Sequence, residues 1–154
     1  MLSDEKILIN LHIDIEPQKN YRPGYAIEKR GLYYLARKLS SQIPIITDDT
    51  NYDTLEKCYS IWICKDNIPK KERYTLTNYH FGISDDSTYS DVPKENYDLL
   101  ELIVIRLGTE DYAGEKGLLD FLNILFYPHK KDFINKLEQY VDLSSYDNLK
   151  KQSK

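Results

Sequence analysis

The chain has 154 residues, a length typical of one domain and sufficient to bury a substantial apolar core. Its composition, 41% hydrophobic and 30% charged with only two cysteines, excludes disordered, collagen-like and disulfide-framework proteins. The net charge of −4 excludes a protein that is basic over its whole surface. We expect one folded domain over residues 1–143 and a polar tail over residues 144–154.

The first predicted element is a strand over residues 7–15, where every odd position is isoleucine or leucine. Such alternation places the residues at even positions on the opposite side of the strand. That side carries a polar row, formed by His12, Asp14, Glu16 and Gln18. Pro17 interrupts the row and predicts a strand end or bulge, with a turn over residues 17–24.

A helix is predicted over residues 25–42, before Pro44, because apolar residues recur there at three- and four-residue spacing. The stripe expected to face the core is Leu32, Leu35, Ala36, Leu39 and Ile43. A different face of the same helix carries Arg30, Tyr34 and Arg37. Gly31 weakens the helix prediction.

Three more strands are predicted over residues 58–64, 74–83 and 99–107. The first and third are almost wholly apolar, which indicates burial on both faces, whereas the second is more polar and suits an edge. Loops are expected over residues 45–54 and 84–96, and helices over 117–127 and 131–141. This order of elements predicts an α/β or α+β fold with a strand–helix–strand unit at its front.

Cys58 and Cys64 lie six residues apart in one predicted strand, about 20 Å along its axis. A disulfide requires Cα atoms within about 7 Å, so two buried free thiols in a reducing compartment are expected. The first residues are acidic where a signal peptide is basic. No apolar run approaches the ~20 residues of a membrane-spanning helix, so we expect a cytoplasmic protein without membrane contact.

The sharpest candidate site is the pair Glu16 and Gln18, which share one side of the first strand. Carboxylate and amide oxygens suit Mg²⁺, which activates bound water and stabilises developing negative charge. Asp14 would add a second carboxylate or would instead pair with a basic residue. The same spacing also fits polar side chains that only solvate a strand end. No zinc-ligand spacing, glycine-rich phosphate loop or nucleophile elbow is present.

The second candidate site is the helix face with Arg30, Tyr34 and Arg37, near Gln42. Arginine forks bind phosphate, and tyrosine adds hydrogen bonds or stacking. A solvated amphipathic face would show the same pattern. Residues 1–45 have a net charge of +2, and residues 46–154 have a net charge of −6. A phosphate-binding surface is therefore expected within residues 1–45.

Two long segments carry a resemblance to a known family. They are ILINLHIDIEPQKNYRPGYAIEKRGLYYLARKLSSQ over residues 7–42 and NYDTLEKCYSIWIC over residues 51–64. Together with NYDLLELIVIRLG over 96–108 and GLLDFLNILF over 117–126, they resemble the PD-(D/E)XK nuclease family transposases, which belong with the recombination-promoting nucleases.

The resemblance implies a restriction-endonuclease-like α/β core, a mixed sheet flanked by helices, and Mg²⁺-dependent cleavage of DNA phosphodiester bonds, with Mn²⁺ as an alternative ion. The family's E-x-Q motif falls on Glu16 as metal ligand and Gln18, which takes the place of the usual lysine and orients the attacking water. The carbonyl oxygen of Pro17 would be another ligand. Arg30, Tyr34 and Gln42 match the helix that follows the motif.

One departure concerns the family's first acidic residue, which precedes the E-x-Q strand. Asp4, twelve residues before Glu16, is the only aspartate ahead of Asp14. We therefore expect the chain to lack the first elements of the core, unless Asp4 or Asp14 replaces this ligand.

Because of this departure, the sequence leaves open whether the chain is an active enzyme. Three functions are possible: a DNA endonuclease, an inactive remnant that binds DNA, or a protein-interaction module. The phosphate backbone of DNA is the expected partner. A homo-oligomer is an open alternative to a monomer.

Overall fold

The computed structural model describes residues 12–108, 117–128 and 132–142. In these ranges four strands and three α-helices follow one another along the chain. They are β1 (His12–Asn20), α1 (Ile27–Ser41), β2 (Cys58–Asp66), β3 (Thr75–His80), β4 (Leu100–Arg106), α2 (Leu118–Phe126) and α3 (Phe133–Leu137). Single 3₁₀ turns lie in the connections, at Tyr52–Thr54, Lys70–Glu72 and Lys94–Asn96.

The four strands form one mixed sheet in the order β1-β2-β4-β3. The first three of these run parallel, and β3 pairs antiparallel with β4 at one edge. The parallel pair β1 and β2 is joined by α1, as the order of elements predicts. The α/β prediction of a mixed sheet flanked by helices is confirmed, and so is the edge position of β3.

One face of the sheet is covered by α1, which turns Ile27, Gly31 and Leu35 inwards. They bury a cluster of strand side chains that is fully enclosed, formed by Cys58, Trp62, Cys64, Leu102 and Val104. Burial of this apolar surface is the main force that holds the helix on the sheet. Both cysteines are free thiols, as predicted, and burial raises the pKa of Cys64 to about 12.

The opposite face of the sheet is covered at one end by α2. There Leu122 packs on Ile63, Ile105 and Leu107. A third cluster joins α2 to α3 through Ile124, Ile134 and Leu137. No helix within the described ranges is both long and apolar enough to span a bilayer.

Two local predictions differ from the structure. β1 continues through Pro17 as far as Asn20 instead of ending there, because β1 is an edge of the described sheet and pairs only with β2. The buried stripe of α1 is Ile27, Gly31 and Leu35, whereas Leu32 and Ala36 are exposed. The prediction was right for Leu35, which is buried, and for Leu39, which packs against the core, but it placed the centre of the stripe too far towards Leu32 and Ala36.

Gly31 sets this orientation because its missing side chain lets α1 approach the sheet. A Cβ atom there would lie 2.6 Å from Leu102 Cδ1 and 3.1 Å from Trp62 Nε1. Both neighbours are fully buried, so they have little room to move. The glycine that weakened the helix prediction is therefore a packing requirement.

Gly31→Leu is expected to lower the free energy of unfolding by about 1–3 kcal/mol, since an overpacked interface forces neighbours out of their rotamers. Ala36→Leu is the matched control, because it adds a leucine to an exposed position of the same helix. Urea denaturation followed by circular dichroism compares the two variants. Equal stability of both variants would contradict the close approach of α1 at Gly31.

Candidate active site between the first strand and helix

The polar row of β1 lies on the face of the sheet that α1 covers, and its side chains are half-buried. Its members pair in register with buried residues of β2, Asp14 with Ser60, Glu16 with Trp62 and Gln18 with Cys64. The alternate residues Ile13 and Ile15 point to the other face of the sheet. The strand and the helix therefore form a groove with half-buried polar side chains on the strand side.

Glu16 lies in the middle of this groove with its carboxylate available. Among the described residues it makes no hydrogen bond and no ion pair. Its strand neighbour Trp62 is fully buried and donates its indole N–H to Ser60 Oγ at 2.9 Å. Glu16 thus stands in register with a fixed aromatic residue, and its carboxylate has no protein partner in the described ranges.

Gln18 lies two residues further along the same side of β1. Its side-chain Nε2 donates to the carbonyl oxygen of Asn20 at 2.7 Å. This bond fixes the amide so that the side-chain oxygen is the end that accepts hydrogen bonds from other groups. The residue can therefore orient a water molecule, but it supplies no positive charge.

Asp14 occupies the other side of Glu16 and pairs with a helix lysine. Lys38 Nζ lies 2.5 Å from Asp14 Oδ1. The side chain of Lys38 is 22% exposed and that of Asp14 is 43% exposed. The sequence left open whether Asp14 binds metal or a basic residue, and here it contacts a base. A role as second metal ligand stays a prediction.

Arg30 closes the helix side of the groove. Its guanidinium donates to Tyr34 Oη at 3.1 Å and to Tyr25 Oη at 2.6 Å, and it lies 5.2 Å from the centre of the Trp62 ring. The hydrogen bonds that Arg30 donates to Tyr34 and Tyr25 raise the pKa of Arg30, so the group is a cation at every relevant pH. The predicted residues Arg30, Tyr34 and Glu16 are thus all grouped around Trp62.

This arrangement lies inside a segment that a family model recognises. The model for PD-(D/E)XK nuclease family transposases matches residues 5–109, which is more than half of the chain. The chain belongs to this family. The match includes β1 to β4 and ends before α2. Searches of curated proteins and of solved structures found no match.

Membership in the PD-(D/E)XK nuclease family fits the mixed α/β sheet and indicates a nuclease-type domain of the transposase kind. Nucleases of this family usually use a divalent metal, and the family implies DNA as substrate. The resemblance seen in the sequence is therefore confirmed for residues 5–109, while residues 117–126 lie beyond the match.

The carboxylate and amide oxygens of the groove are donors of the kind that Mg²⁺ binds. The described residues contain no group of three or more His, Cys, Asp or Glu side chains that would enclose a metal. Mg²⁺ needs less than that, since it binds through one or two carboxylates plus substrate phosphate and keeps several waters. Glu16, with Asp14 beside it, meets this requirement. Asp4, the other proposed acidic ligand, lies outside the described residues.

Two predicted DNA-binding residues lie away from the groove. Arg37 is exposed, with its guanidinium 6.0 Å from the Tyr33 ring. Gln42 joins the end of α1 to the start of β2, since its amide donates to Glu56 O and Cys58 Sγ and accepts from Glu56 N. Their contacts with DNA stay predictions, and Gln42 has a structural role in addition.

Lys38 is the groove residue that the sequence prediction missed. Its helical spacing was informative, because positions 30, 34 and 38 are four residues apart and share one face of α1. The prediction followed Arg37 instead, which lies one residue away and outside the groove. An ion pair between a strand and a helix 24 residues apart depends on how the two elements pack, which the helix spacing alone does not give.

Proposed function

We propose that the chain is a metal-dependent DNA endonuclease of the PD-(D/E)XK transposase type, which hydrolyses DNA phosphodiester bonds with Mg²⁺, or Mn²⁺ in its place. The observation that carries the proposal is the available carboxylate of Glu16, half-buried in a groove whose helix side holds Arg30 and Lys38. A carboxylate beside two cations is the combination that binding a metal ion and a phosphate requires.

Each groove residue has a separate task in this proposal. Glu16 binds the metal, with Asp14 as second ligand, and the bound metal would supply an activated water and stabilise negative charge on the phosphate. Gln18 accepts a hydrogen bond from the attacking water through its side-chain oxygen. Because Gln18 is neutral, positive charge at the phosphate has to come from elsewhere in the groove.

Arg30 is the proposed phosphate ligand on the helix. Two of its five N–H donors bond to Tyr34 and Tyr25, so the fork is held in place while the other donors remain for phosphate. Tyr34 fixes the fork and adds a hydroxyl near the substrate. Arg37, exposed on the same helix, would contact a neighbouring phosphate. Gln42 would reach DNA only by giving up its bonds to Glu56 and Cys58.

The proposal is tested by incubating the purified full chain with supercoiled plasmid in Mg²⁺, in Mn²⁺ and in excess EDTA. Open-circular or linear plasmid is expected with either ion, and unchanged supercoiled plasmid with EDTA. Equal conversion in EDTA would reveal a contaminating or different activity. Absence of conversion under all three conditions would overturn the endonuclease proposal.

A second candidate function is a DNA-binding module without cleavage. It is favoured by the absence, among the described residues, of a three-ligand metal cluster and by the pairing of Asp14 with Lys38. In that case the chain would bind duplex DNA in EDTA, with an affinity that falls as salt rises, and would leave plasmid intact in Mg²⁺.

The third candidate function, a protein-interaction module, predicts no salt-sensitive DNA binding through Arg30.

The proposal includes three properties of the whole chain. Residues 1–143 would act as a single nuclease-like domain with residues 144–154 as a tail. The site of action would be the cytoplasm, where buried free thiols such as Cys58 and Cys64 stay reduced. A homo-oligomer is the alternative to a monomer, and sedimentation velocity distinguishes the two.

A further inference from the structure

We infer that Lys38 is a phosphate-binding residue of the groove, which Asp14 holds in place until DNA arrives. The inference rests on the proposed function, because the phosphate is that of the DNA substrate. It adds a residue outside the family's E-x-Q motif. It also identifies a source for the positive charge that the neutral Gln18 does not provide.

The position of Lys38 relative to Glu16 follows from the packing of α1 on the sheet. Lys38 contacts Asp14, near the start of β1, whereas Arg30 lies over Trp62, the register partner of Glu16. The helix therefore runs opposite to the strand. Lys38 and Arg30 are eight residues apart, about 12 Å along the helix axis. The two cations can therefore contact phosphates at two different positions along the groove.

Lys38 lies within reach of a phosphate bound at Glu16. Asp14 and Glu16 are on the same side of β1, with Cα atoms about 6.6 Å apart. A lysine side chain is a flexible point charge, so a small rotation brings its ammonium group from Asp14 towards a phosphate next to Glu16.

The ion pair of Lys38 is suited to exchange. The Asp14 side chain is 43% exposed, and pairs of this kind contribute little to stability because water screens them. The Asp14 carboxylate keeps the Lys38 ammonium group in the groove, and the ammonium group can still exchange Asp14 for another anion. A phosphate oxygen offers the ammonium group the same charge and hydrogen-bond geometry as the carboxylate.

The test measures binding of a fluorescein-labelled 16-base-pair duplex to the full chain in EDTA, by anisotropy over a range of salt concentrations. For Lys38→Met we expect the slope of log Kobs against log salt to decrease in magnitude by about 0.9, the loss of one phosphate contact. Lys38→Arg should keep the slope. Lys19→Met is the matched control, because Lys19 is exposed on the opposite side of β1.

A double-mutant cycle tests whether Asp14 holds the lysine. Asp14→Asn should tighten DNA binding by about 3–10-fold when Lys38 is present, because the lysine is released, and much less in the Lys38→Met background. An equal gain in both backgrounds would show only the loss of a negative charge and would overturn this part of the inference. Thermal unfolding of each variant confirms that the fold is retained.

The outcomes separate this inference from the proposed function. If the unmodified chain nicks DNA in Mg²⁺ but Lys38→Met leaves the salt slope unchanged, the inference about Lys38 is overturned and the endonuclease proposal stands. The expected slope change without nicking by the unmodified chain would support Lys38 as a phosphate ligand and overturn the endonuclease proposal. A chain that binds no duplex at any salt concentration would overturn both.

Discussion

Glu16→Gln is expected to lower the rate of Mg²⁺-dependent DNA cleavage by on the order of 10²–10³-fold. The substitution keeps the size and position of the side chain but removes the charge that would hold the metal. A catalytic metal ion contributes several kcal/mol to the stabilisation of a phosphoryl transition state, and each 1.36 kcal/mol corresponds to a factor of ten in rate. Single-turnover cleavage of an end-labelled duplex measures the effect.

Stability and DNA binding provide the controls for this variant. Glu16 makes no hydrogen bond or ion pair to another described residue, so its replacement should change the free energy of unfolding by less than about 1 kcal/mol. Affinity for duplex in EDTA should stay the same or rise. Glu95→Gln neutralises an exposed glutamate within the Lys94–Asn96 turn and should cleave at the unmodified rate.

Lys57→Met is expected to reduce the free energy of unfolding at pH 7 by about 2–4 kcal/mol. Lys57 Nζ lies 2.7 Å from Asp98 and 2.6 Å from Glu101, and the side chain of Asp98 is only 7% exposed. Asp98 Oδ1 already has no hydrogen-bond partner among the described residues. Loss of the lysine would leave two carboxylates close together and poorly solvated, which is costly.

The acid dependence of stability follows from the same cluster. Burial raises the pKa of Asp98 and of Glu101, but the bonds from Lys57 outweigh this effect and hold both pKa values below their ordinary range. The resulting stability is fully present above about pH 4–5, where these groups are ionised in the unfolded chain too. It is lost as the pH falls through the lower folded pKa values. Lys57→Met should show a smaller loss on acidification.

Lys94→Met is the matched control for Lys57→Met. Lys94 also reaches Asp98, at 3.3 Å, but its side chain is 73% exposed. Removal of this exposed lysine, which leaves Asp98 paired with Lys57, should cost less than about 1 kcal/mol. Urea denaturation at pH 7 and about pH 3 compares the three proteins. If the two variants are equally stable at pH 7, Lys57 is not the residue that stabilises the buried carboxylates.

The elements with strong periodic patterns were predictable from the sequence. The apolar run that begins at Cys58 and the one that ends at Leu107 became central strands β2 and β4, because a strand that is covered on both faces buries mostly apolar side chains. The predicted ends of the strands and helices were less accurate where contacts between elements determine them. Pro17 breaks a strand pattern locally, yet β1 continues because β2 is its only partner within the described sheet.

The buried face of α1 was not predictable from spacing alone. Leu32 and Ala36 fit a helical stripe as well as Ile27 does, and the difference is made by Gly31 meeting Leu102. Sequence spacing records which residues share a face but not which face meets the sheet. The contact is between elements far apart in the chain, so no local pattern contains it.

The candidate site was predicted in part for the same reason. The strand side of the groove follows from alternation, which places Asp14, Glu16 and Gln18 together. The helix side depends on how α1 packs, and this brings Lys38 to Asp14 while Gln42 bonds to the start of β2. Arg30 and Tyr34 share a helix face and a hydrogen bond, as their four-residue spacing predicts, while their role in DNA binding stays a prediction.

The most direct test of the central claim is a Mg²⁺ titration of single-turnover duplex cleavage, with the unmodified chain and Glu16→Gln assayed side by side from the same purification. We predict that the unmodified chain cleaves with a rate that rises to saturation with Mg²⁺, whereas Glu16→Gln shows no comparable rise. Equal Mg²⁺ dependence of the two proteins, or no cleavage by the unmodified chain at any Mg²⁺ concentration, would contradict the assignment of Glu16 as the metal ligand of a DNA endonuclease.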